Sequence, residues 1–278
     1  TEIYTLSLHD ALPICSLPDG KLHIYFLDVG QGDAILLRSP GGRYVLVDGG
    51  PDPLQLTSQL GRILPFWQRR LDVVLVTHAD QDHLGGLLTL LQRYQVDHVV
   101  QSPVLGSEGL AATWNQATAA AGVDVHVLER GGRIAVGETL VLDVLHPAPP
   151  YTGDENANSL VLRASMGNCR ILLTGDIGAE VEEALLRSDQ SLFATVLKVA
   201  HHGAATATSV EFLRGVQPQV AVISVGRDNH LGHPSAEVLE RLQQSGCRVL
   251  RTDQEGTIEL ITDGDTLWVR TWGRPEGE

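Results

Sequence analysis

Residues 71–88, LDVVLVTHADQDHLGGLL, narrow the choice of fold more than any other stretch. Leu71 and Val73–Val76 make an apolar run of strand length, which reads as a strand covered on both faces. The strand ends at Thr77, and His78, Asp80, Asp82 and His83 follow at once. After Gly85-Gly86 comes the helix-type run Leu87-Leu88-Thr89-Leu90-Leu91. Side chains at a strand-to-helix turn point in several directions, so these four can surround a small volume. Imidazole and carboxylate each offer a lone pair, and a mixed N/O set suits Zn²⁺ or Mn²⁺. The glycines let the backbone close up behind such a site with no Cβ in the way. A polar turn with two capping aspartates is the competing reading. It leaves both histidines unexplained, because a helix start uses one capping side chain.

The rest of the chain alternates in a consistent way. Leu22–Asp28, Ala34–Arg38 and Tyr44–Val47 read as strands joined by the turns Gly30-Gln31-Gly32-Asp33 and Gly41-Gly42. Pro53–Trp67 reads as a helix leading into the Leu71 strand, and Val96–Gln101, Leu110–Ala121 and Val123–Leu128 as strand, helix and strand. A hairpin bent at Gly137 spans Ile134–Leu145. Strands at Leu160–Ala164, Arg170–Thr174, Ala194–Ala200 and Gln219–Val225 follow, with helices at Ala179–Leu186 and Ser235–Gln244 and a helix end at Phe212–Val216. Strands at Arg248–Thr252, Thr257–Ile261 and Leu267–Thr271 close the chain. Strands first, then strand and helix in turn, predict an α/β four-layer sandwich (αββα) with helices outside two sheets. One such domain over residues 16–278 suits the length.

Residues 1–15, TEIYTLSLHDALPIC, lack the basic start and long apolar centre of a signal peptide. They resemble translated adapter read-through and are expected to be a non-native leader outside the fold. No apolar run approaches a membrane span, so the chain as written is expected to be soluble. The charge is −14, with 34 acidic against 20 basic residues, which disfavours broad electrostatic binding to nucleic acid away from a metal site. Cys15, Cys169 and Cys247 are odd in number and far apart, supporting neither a disulfide framework nor a thiolate zinc site. Gly30-x-Gly32 lacks a third glycine and a following helix, so no nucleotide cofactor is expected.

Three further places carry chemistry-bearing residues at strand ends. Asp176 follows the run Ile171–Thr174 and Gly175; a helix cap is its alternative reading. His201-His202-Gly203 ends the Ala194 strand, and since strand neighbours face opposite sides, one imidazole of the two is expected to ligate. His233-Pro234 closes a loop that starts at Gly226, and His233 is open to three readings: ligand, phosphate contact or general acid. His230 beside it is expected at the surface, and His9, His23, His98, His126 and His146 lack ligand partners at useful spacing.

T-H-A-D-Q-D-H resembles the H-x-[HD]-x-D-H signature of the metallo-β-lactamase fold, with Asp80 where the commonest version has His. L-D-V-G-Q-G-D-A, V-L-V-D-G-G, N-x-x-S-L-V-L, L-L-T-G-D, K-V-x-H-H-G and S-V-G-x-x-N-x-x-G-H-P then recur in order, over about residues 21–262. Together they resemble the domain found in DNA-uptake channel proteins of natural competence, the ComEC type. The resemblance implies a hydrolase using two divalent ions, Mn²⁺ or Zn²⁺. Site one would come from His78, Asp80 and Asp176, and site two from Asp82, His83, Asp176 and His201, with Asp176 bridging. His202 would serve substrate phosphate or proton transfer, and Asp82, Asp176, His202 and His233 would form the catalytic set. Asp48, Asn156, Asn158 and Lys198 would sit behind the ligands or against a phosphate; for the two asparagines, Asx turns are the plain alternative. Asparagines stand where most two-metal members have a third site-one histidine, and Asp80 is a harder donor than imidazole, which favours Mn²⁺ in site one. The implied reaction is phosphodiester hydrolysis of DNA, single-stranded by expectation, by an extramembrane domain of a bacterial inner-membrane protein whose channel portion is missing from this chain. A small-molecule lactonase or thioesterase, and a weakly active domain that gates or assembles a channel, are the alternatives.

Overall fold

The computed structural model describes residues 3–6 and 18–273. Its strands are β1 (Ile3–Leu6), β2 (Leu22–Phe26), β3 (Ile35–Arg38), β4 (Tyr44–Val47), β5 (Arg70–Val76), β6 (Gln95–Gln101), β7 (Asp124–Val127), β8 (Arg133–Val136) and β9 (Leu140–His146). They continue as β10 (Val161–Met166), β11 (Cys169–Leu173), β12 (Val196–Lys198), β13 (Val220–Ile223), β14 (Arg248–Arg251), β15 (Ile258–Thr262) and β16 (Leu267–Thr271). The helices are α1 (Pro53–Ile63), α2 (Gln81–Leu84), α3 (Gly109–Ala121), α4 (Ala179–Arg187), α5 (Val210–Val216), α6 (Ala236–Gln244) and α7 (Thr252–Glu255). Two mixed sheets result, ordered β1-β16-β15-β2-β3-β4-β5-β6-β7 and β14-β13-β12-β11-β10-β9-β8.

Strand alternation builds the layers. Ile24, Phe26, Val45, Val47, Val73 and Leu75 point from the first sheet into a shared core with Leu162, Ala164, Ile171, Leu173, Val196 and Val222 of the second. The opposite face of the first sheet (Tyr25, Leu36, Leu46, Val74, Val76) packs on Leu56 and Leu60 of α1 and on Trp114 of α3. The outer face of the second (Leu172, Leu197, Ala221, Ile223) packs on Val181 and Leu185 of α4, Phe212 and Leu213 of α5, and Val238 and Leu242 of α6. The four-layer sandwich expected from element order is the observed architecture. β5 lies between β4 and β6, parallel to both, which accounts for its apolar run. Among the described residues no helix is long and apolar enough to cross a membrane.

Several expected boundaries move, each for a local reason. α1 starts as expected, with Asp52 accepting from the N–H groups of Leu54 and Gln55 at 2.7 and 3.0 Å. It stops at Ile63 and not at Trp67. Leu64 is extended (φ −81°, ψ 137°) because Pro65 disfavours helical geometry in the residue before it. The helix after β5 starts at Gln81 and continues as a 3-10 turn over Gly85–Gln92. β12 ends at Lys198, two residues short of expectation, and α7 is a single turn that the sequence reading passes over. Cys169 is buried and Cys247 half-buried, both free. The expected leader falls mainly on residues outside the described ones. Its described part, β1, lies parallel to β16 with Ile3 opposite Leu267 and Leu6 opposite Arg270.

One buried carboxylate ties the second helical layer together. Glu182 of α4 is fully buried and accepts from the N–H of Thr208 and, at 2.8 Å, from the N–H of Ser209, just before α5. Each backbone N–H left unsatisfied in that setting costs about 1–3 kcal/mol. Glu182→Ala should therefore lower unfolding stability in urea by that much for each group that water fails to reach; an unchanged midpoint would contradict the assignment.

Candidate metal centre

The parallel strands β4, β5, β11 and β12 run out at one edge, and the polar residues gather there, where open α/β sheets place their sites. Asp48 follows β4 with φ 57°, a left-handed conformation in which Asp is among the tolerated residues. Its Oδ1 accepts from Thr77 N–H at 2.8 Å, and its Oδ2 accepts from Thr77 Oγ1 at 2.6 Å and meets His83 Nδ1 at 2.8 Å. One carboxylate thus joins the end of β4, the end of β5 and the first turn of α2. The turn packs so closely that Gly86 admits no side chain: a Cβ there would lie 1.9 Å from the carbonyl oxygen of Gly49. Gly32 is equally restricted, with its Cβ position 2.1 Å from the carbonyl oxygen of Asp82.

Asp82, His83, Asp176 and His202 each direct one donor atom into a common volume, all within 4.8 Å of one another. His83 Nε2 lies 3.2 Å from Asp176 Oδ1, and His202 Nε2 lies 3.1 Å from Asp82 Oδ2 and 3.3 Å from Asp176 Oδ2. Asp176, between the two imidazoles, is almost fully buried, as are both histidines. The second nitrogen of each ring is engaged: His83 Nδ1 by Asp48 and His202 Nδ1 by the carbonyl oxygen of Ser224 at 2.9 Å. His78 follows suit, with Nδ1 at 3.0 Å from Thr77 Oγ1 and 3.3 Å from Ser159 Oγ. Among the described residues the Nε2 atoms of His78, His83 and His202 are all buried without a hydrogen-bond partner. Orphaned buried imidazole nitrogens, each backed on Nδ1 and facing carboxylates, fit a divalent cation. The residues present therefore fit a metal at this position.

The electrostatics agree. Burial works against protonated His83 and His202, yet the carboxylates of Asp176 and Asp48 raise His83 well above the usual imidazole range, and Asp176 and Asp82 raise His202 to about 9. Burial likewise opposes ionised Asp82 and Asp176, but the neighbouring imidazoles hold Asp82 down to about 2, and the imidazoles with Lys198 hold Asp176 well below the carboxylate range. His201 and His233 differ: burial lowers both, and each also feels neighbouring positive charge.

Placed against the expected residues, the structure separates them clearly. Asp82, His83 and Asp176 come together as expected. The second imidazole in that group belongs to His202, not His201. His201 Nε2 stands 3.9 Å from Asp176, its side chain 31 % exposed. Strand alternation does not decide between them because both lie beyond β12, in a turn with left-handed φ of 50° and 53°. His78 and Asp80 lie side by side, Nε2 to Oδ2 3.6 Å, and Asp80 is half exposed. Asn158 turns inward on its own loop, donating to the carbonyl oxygens of Thr152 and Asp154 and accepting from Thr152 N–H, contacts four and six residues back in the chain and not the Asx turn of the alternative reading. The Asn156 N–H donates to Asp154 Oδ1, while its own Oδ1 has no partner among the described residues. Lys198 is fully buried, in contact with Asp33 and 3.5 Å from Asp176 Oδ1. His233 is half-buried, its ring centroid 5.8 Å from that of His201, and its backbone is held at both N–H and C=O by the side chain of Asn229. His230 is exposed, as expected. The residue that sequence reasoning missed is Asp33, which is buried beside Lys198 and His202. Its signal was present: a carboxylate directly after the tight Gly30–Gly32 turn, at the start of an apolar strand.

The chain matches the family described as Metallo-beta-lactamase superfamily over residues 27–227. It is 35% identical over 262 residues to ComE operon protein 3 of Bacillus subtilis (strain 168), covering 88% of this chain and 33% of that relative. It is 29% identical over 246 residues to Competence protein ComA of Neisseria gonorrhoeae, with 88% and 33% covered. The chain thus spans about a third of the length of these curated relatives. The crystal structure of the metallo-beta-lactamase fold protein YhfI from Bacillus subtilis superposes with a TM-score of 0.59 at 14% identity, over 86% of this chain and 99% of that one. At that identity the likeness speaks for the fold alone.

The geometry distinguishes the two adjacent histidines by experiment. After metal loading and desalting, the Asp82→Asn, His83→Ala double variant and His202→Ala should each retain about tenfold less metal than the parent, a loss typical of a removed ligand or its support. His201→Ala should retain it. Elemental analysis showing the reverse order for His201 and His202 would overturn the placement.

Proposed function

The chain belongs to the metallo-beta-lactamase superfamily, and from that premise we infer that it is a metal-dependent hydrolase cutting phosphodiester bonds of DNA during uptake in natural transformation. The observation that carries the reading is the converging group of Asp82, His83, Asp176 and His202 with its unpartnered imidazole nitrogens. The competence-protein relatives supply the context of uptake. These four residues would hold one divalent ion, and His78, Asp80 and a shared Asp176 a second. Bound there, such ions supply a Lewis acid for the phosphoryl oxygen and a nucleophilic water near neutral pH.

The chain's own residues do the rest. Asp48 fixes the ring of His83 through Nδ1, and Ser224 fixes that of His202, so both Nε2 atoms keep their aim without reorganising. Asp176, within 3.3 Å of both imidazoles, is the carboxylate that would be shared with the second ion. His201 and His233 stand closer to solvent beside this group, positioned to bind a phosphate oxygen or pass a proton to the leaving oxygen. Binding to DNA outside the centre should be weak, since the chain carries a charge of −14. The same charge favours a second reading, a lactonase or thioesterase acting on a small molecule, because fold does not fix substrate.

With Mn²⁺ supplied, the chain should degrade single-stranded DNA, and Asp176→Ala should remove nearly all of that activity. His233→Ala should cost roughly 10²–10⁴-fold, the usual range for a group that moves a proton. Zn²⁺ should support less turnover than Mn²⁺ if Asp80 makes the first site oxygen-rich. Intact DNA alongside hydrolysis of a lactone or thioester would transfer the assignment to the second reading. Neither activity, with no metal held, would leave a domain that gates or assembles a channel.

A further inference from the structure

The acidic group already contains one cation of its own. Lys198 is fully buried, its Nζ in contact with Asp33 Oδ2, 3.0 Å from the carbonyl oxygen of Gly175 and 3.5 Å from Asp176 Oδ1. Asp33 is buried too and held from both sides of its backbone. Its N–H donates to the carbonyl oxygen of Asp82 at 3.0 Å, and its own carbonyl oxygen accepts from Gly50 N–H at 2.7 Å. Its Oδ1 has no hydrogen-bond partner among the described residues and lies 3.6 Å from His202 Nδ1.

An ammonium and a divalent ion compete for the same carboxylate lone pairs. Among the described residues, Asp33 and Asp176 are the carboxylates within 4.0 Å of Lys198 Nζ. A buried ammonium without a partner is strongly unfavourable, so in the absence of Asp33 it would move onto Asp176. Asp176 is also the carboxylate that both His83 and His202 face. Asp33, Asp48 and His83 form a second group of donors within 4.8 Å. There, however, His83 Nδ1 is taken by Asp48, and Asp33 Oδ2 by Lys198.

We propose that Asp33 is a positioning residue that takes the main share of the Lys198 ammonium, limits it to one long hydrogen bond with Asp176 Oδ1 (3.5 Å), and so keeps Asp176 open to a divalent cation. The pair acts from behind the centre and touches no substrate. Lys198 in turn limits the negative charge that gathers around Asp176 while no metal is bound. The inference rests on the metal-binding reading of Asp82, His83, Asp176 and His202.

The test is a double-mutant cycle on the full chain, stripped of metal and titrated with Mn²⁺. Free ion is read by electron paramagnetic resonance, and melting is followed by circular dichroism. Asp33→Asn should weaken Mn²⁺ binding by about tenfold or more, the size of effect seen when a group supporting a ligand is lost. Lys198→Met should bind as tightly as the parent or tighter, since the competing charge is gone. The double variant should return to within about threefold of Lys198→Met, a strong departure from additivity. A group serving only the fold would not predict that recovery. The proposal is overturned if Asp33→Asn binds like the parent, or if the double variant is as weak as Asp33→Asn. If Asp33→Asn does not fold, Lys198→Met decides: weaker binding than the parent overturns the proposal, and equal or tighter binding supports it. A parent chain that takes up no Mn²⁺ removes the metal reading itself, and this inference with it.

Discussion

The carboxylate of Asp48 is the interaction on which the centre depends. It is buried at the end of β4, and it holds the backbone and hydroxyl of Thr77 together with the ring of His83. It gives the end of β5 and the start of α2 a shared anchor and fixes the orientation of the His83 ring. The turn that carries His78, Asp80, Asp82 and His83 is therefore rigid for an electrostatic reason. Charge-assisted hydrogen bonds of this kind are short and strong, and burial removes the water that would compete for them. Gly86 completes the arrangement, since a side chain there would push the turn off the loop that follows Asp48.

The centre is split between the two halves of the sandwich. Asp33, Asp48, Asp82 and His83 stand on segments beside strands of the first sheet, while Lys198 ends a strand of the second and Asp176 and His202 follow strands of it. No local segment holds both halves. Their spacing is set by the core between the sheets, where Val73 and Leu75 meet residues such as Leu173 and Val196. Packed interiors deform little, so the relative placement of donors from different sheets follows from close packing and not from the donors themselves. The arrangement is also charged beyond what its own cations balance. Carboxylates at Asp33, Asp48, Asp82 and Asp176 gather around a single lysine, and the imidazoles of His83 and His202 face them. Such a group is costly in isolation and favourable around a divalent ion.

Much of this was readable from residue order. The apolar run of β5, the ligand types at its end and the recurrence of strand ends bearing Asp or His specified two sheets with a metal-type centre at one edge. Hydrophobic periodicity and donor chemistry are local properties, so they survive in a bare sequence. The end of α1 belonged to the same class, since Pro65 was in view and its effect on Leu64 is steric and local.

The choice between His201 and His202, the retreat of Asn158 into its own loop and the part played by Asp33 belong instead to tertiary structure. His202 points inward because β12 stops at Lys198, the chain turns through left-handed φ, and the carbonyl oxygen of Ser224 receives Nδ1. Asp33 acquires meaning only beside Lys198, a residue from the other sheet. The sequence by itself determined which side chains were available and on which strand ends they stood, because those follow from pattern and chemistry. Which of them converge was decided by packing between distant segments, because a side chain beyond the end of a strand takes its direction from contacts that strand periodicity does not encode.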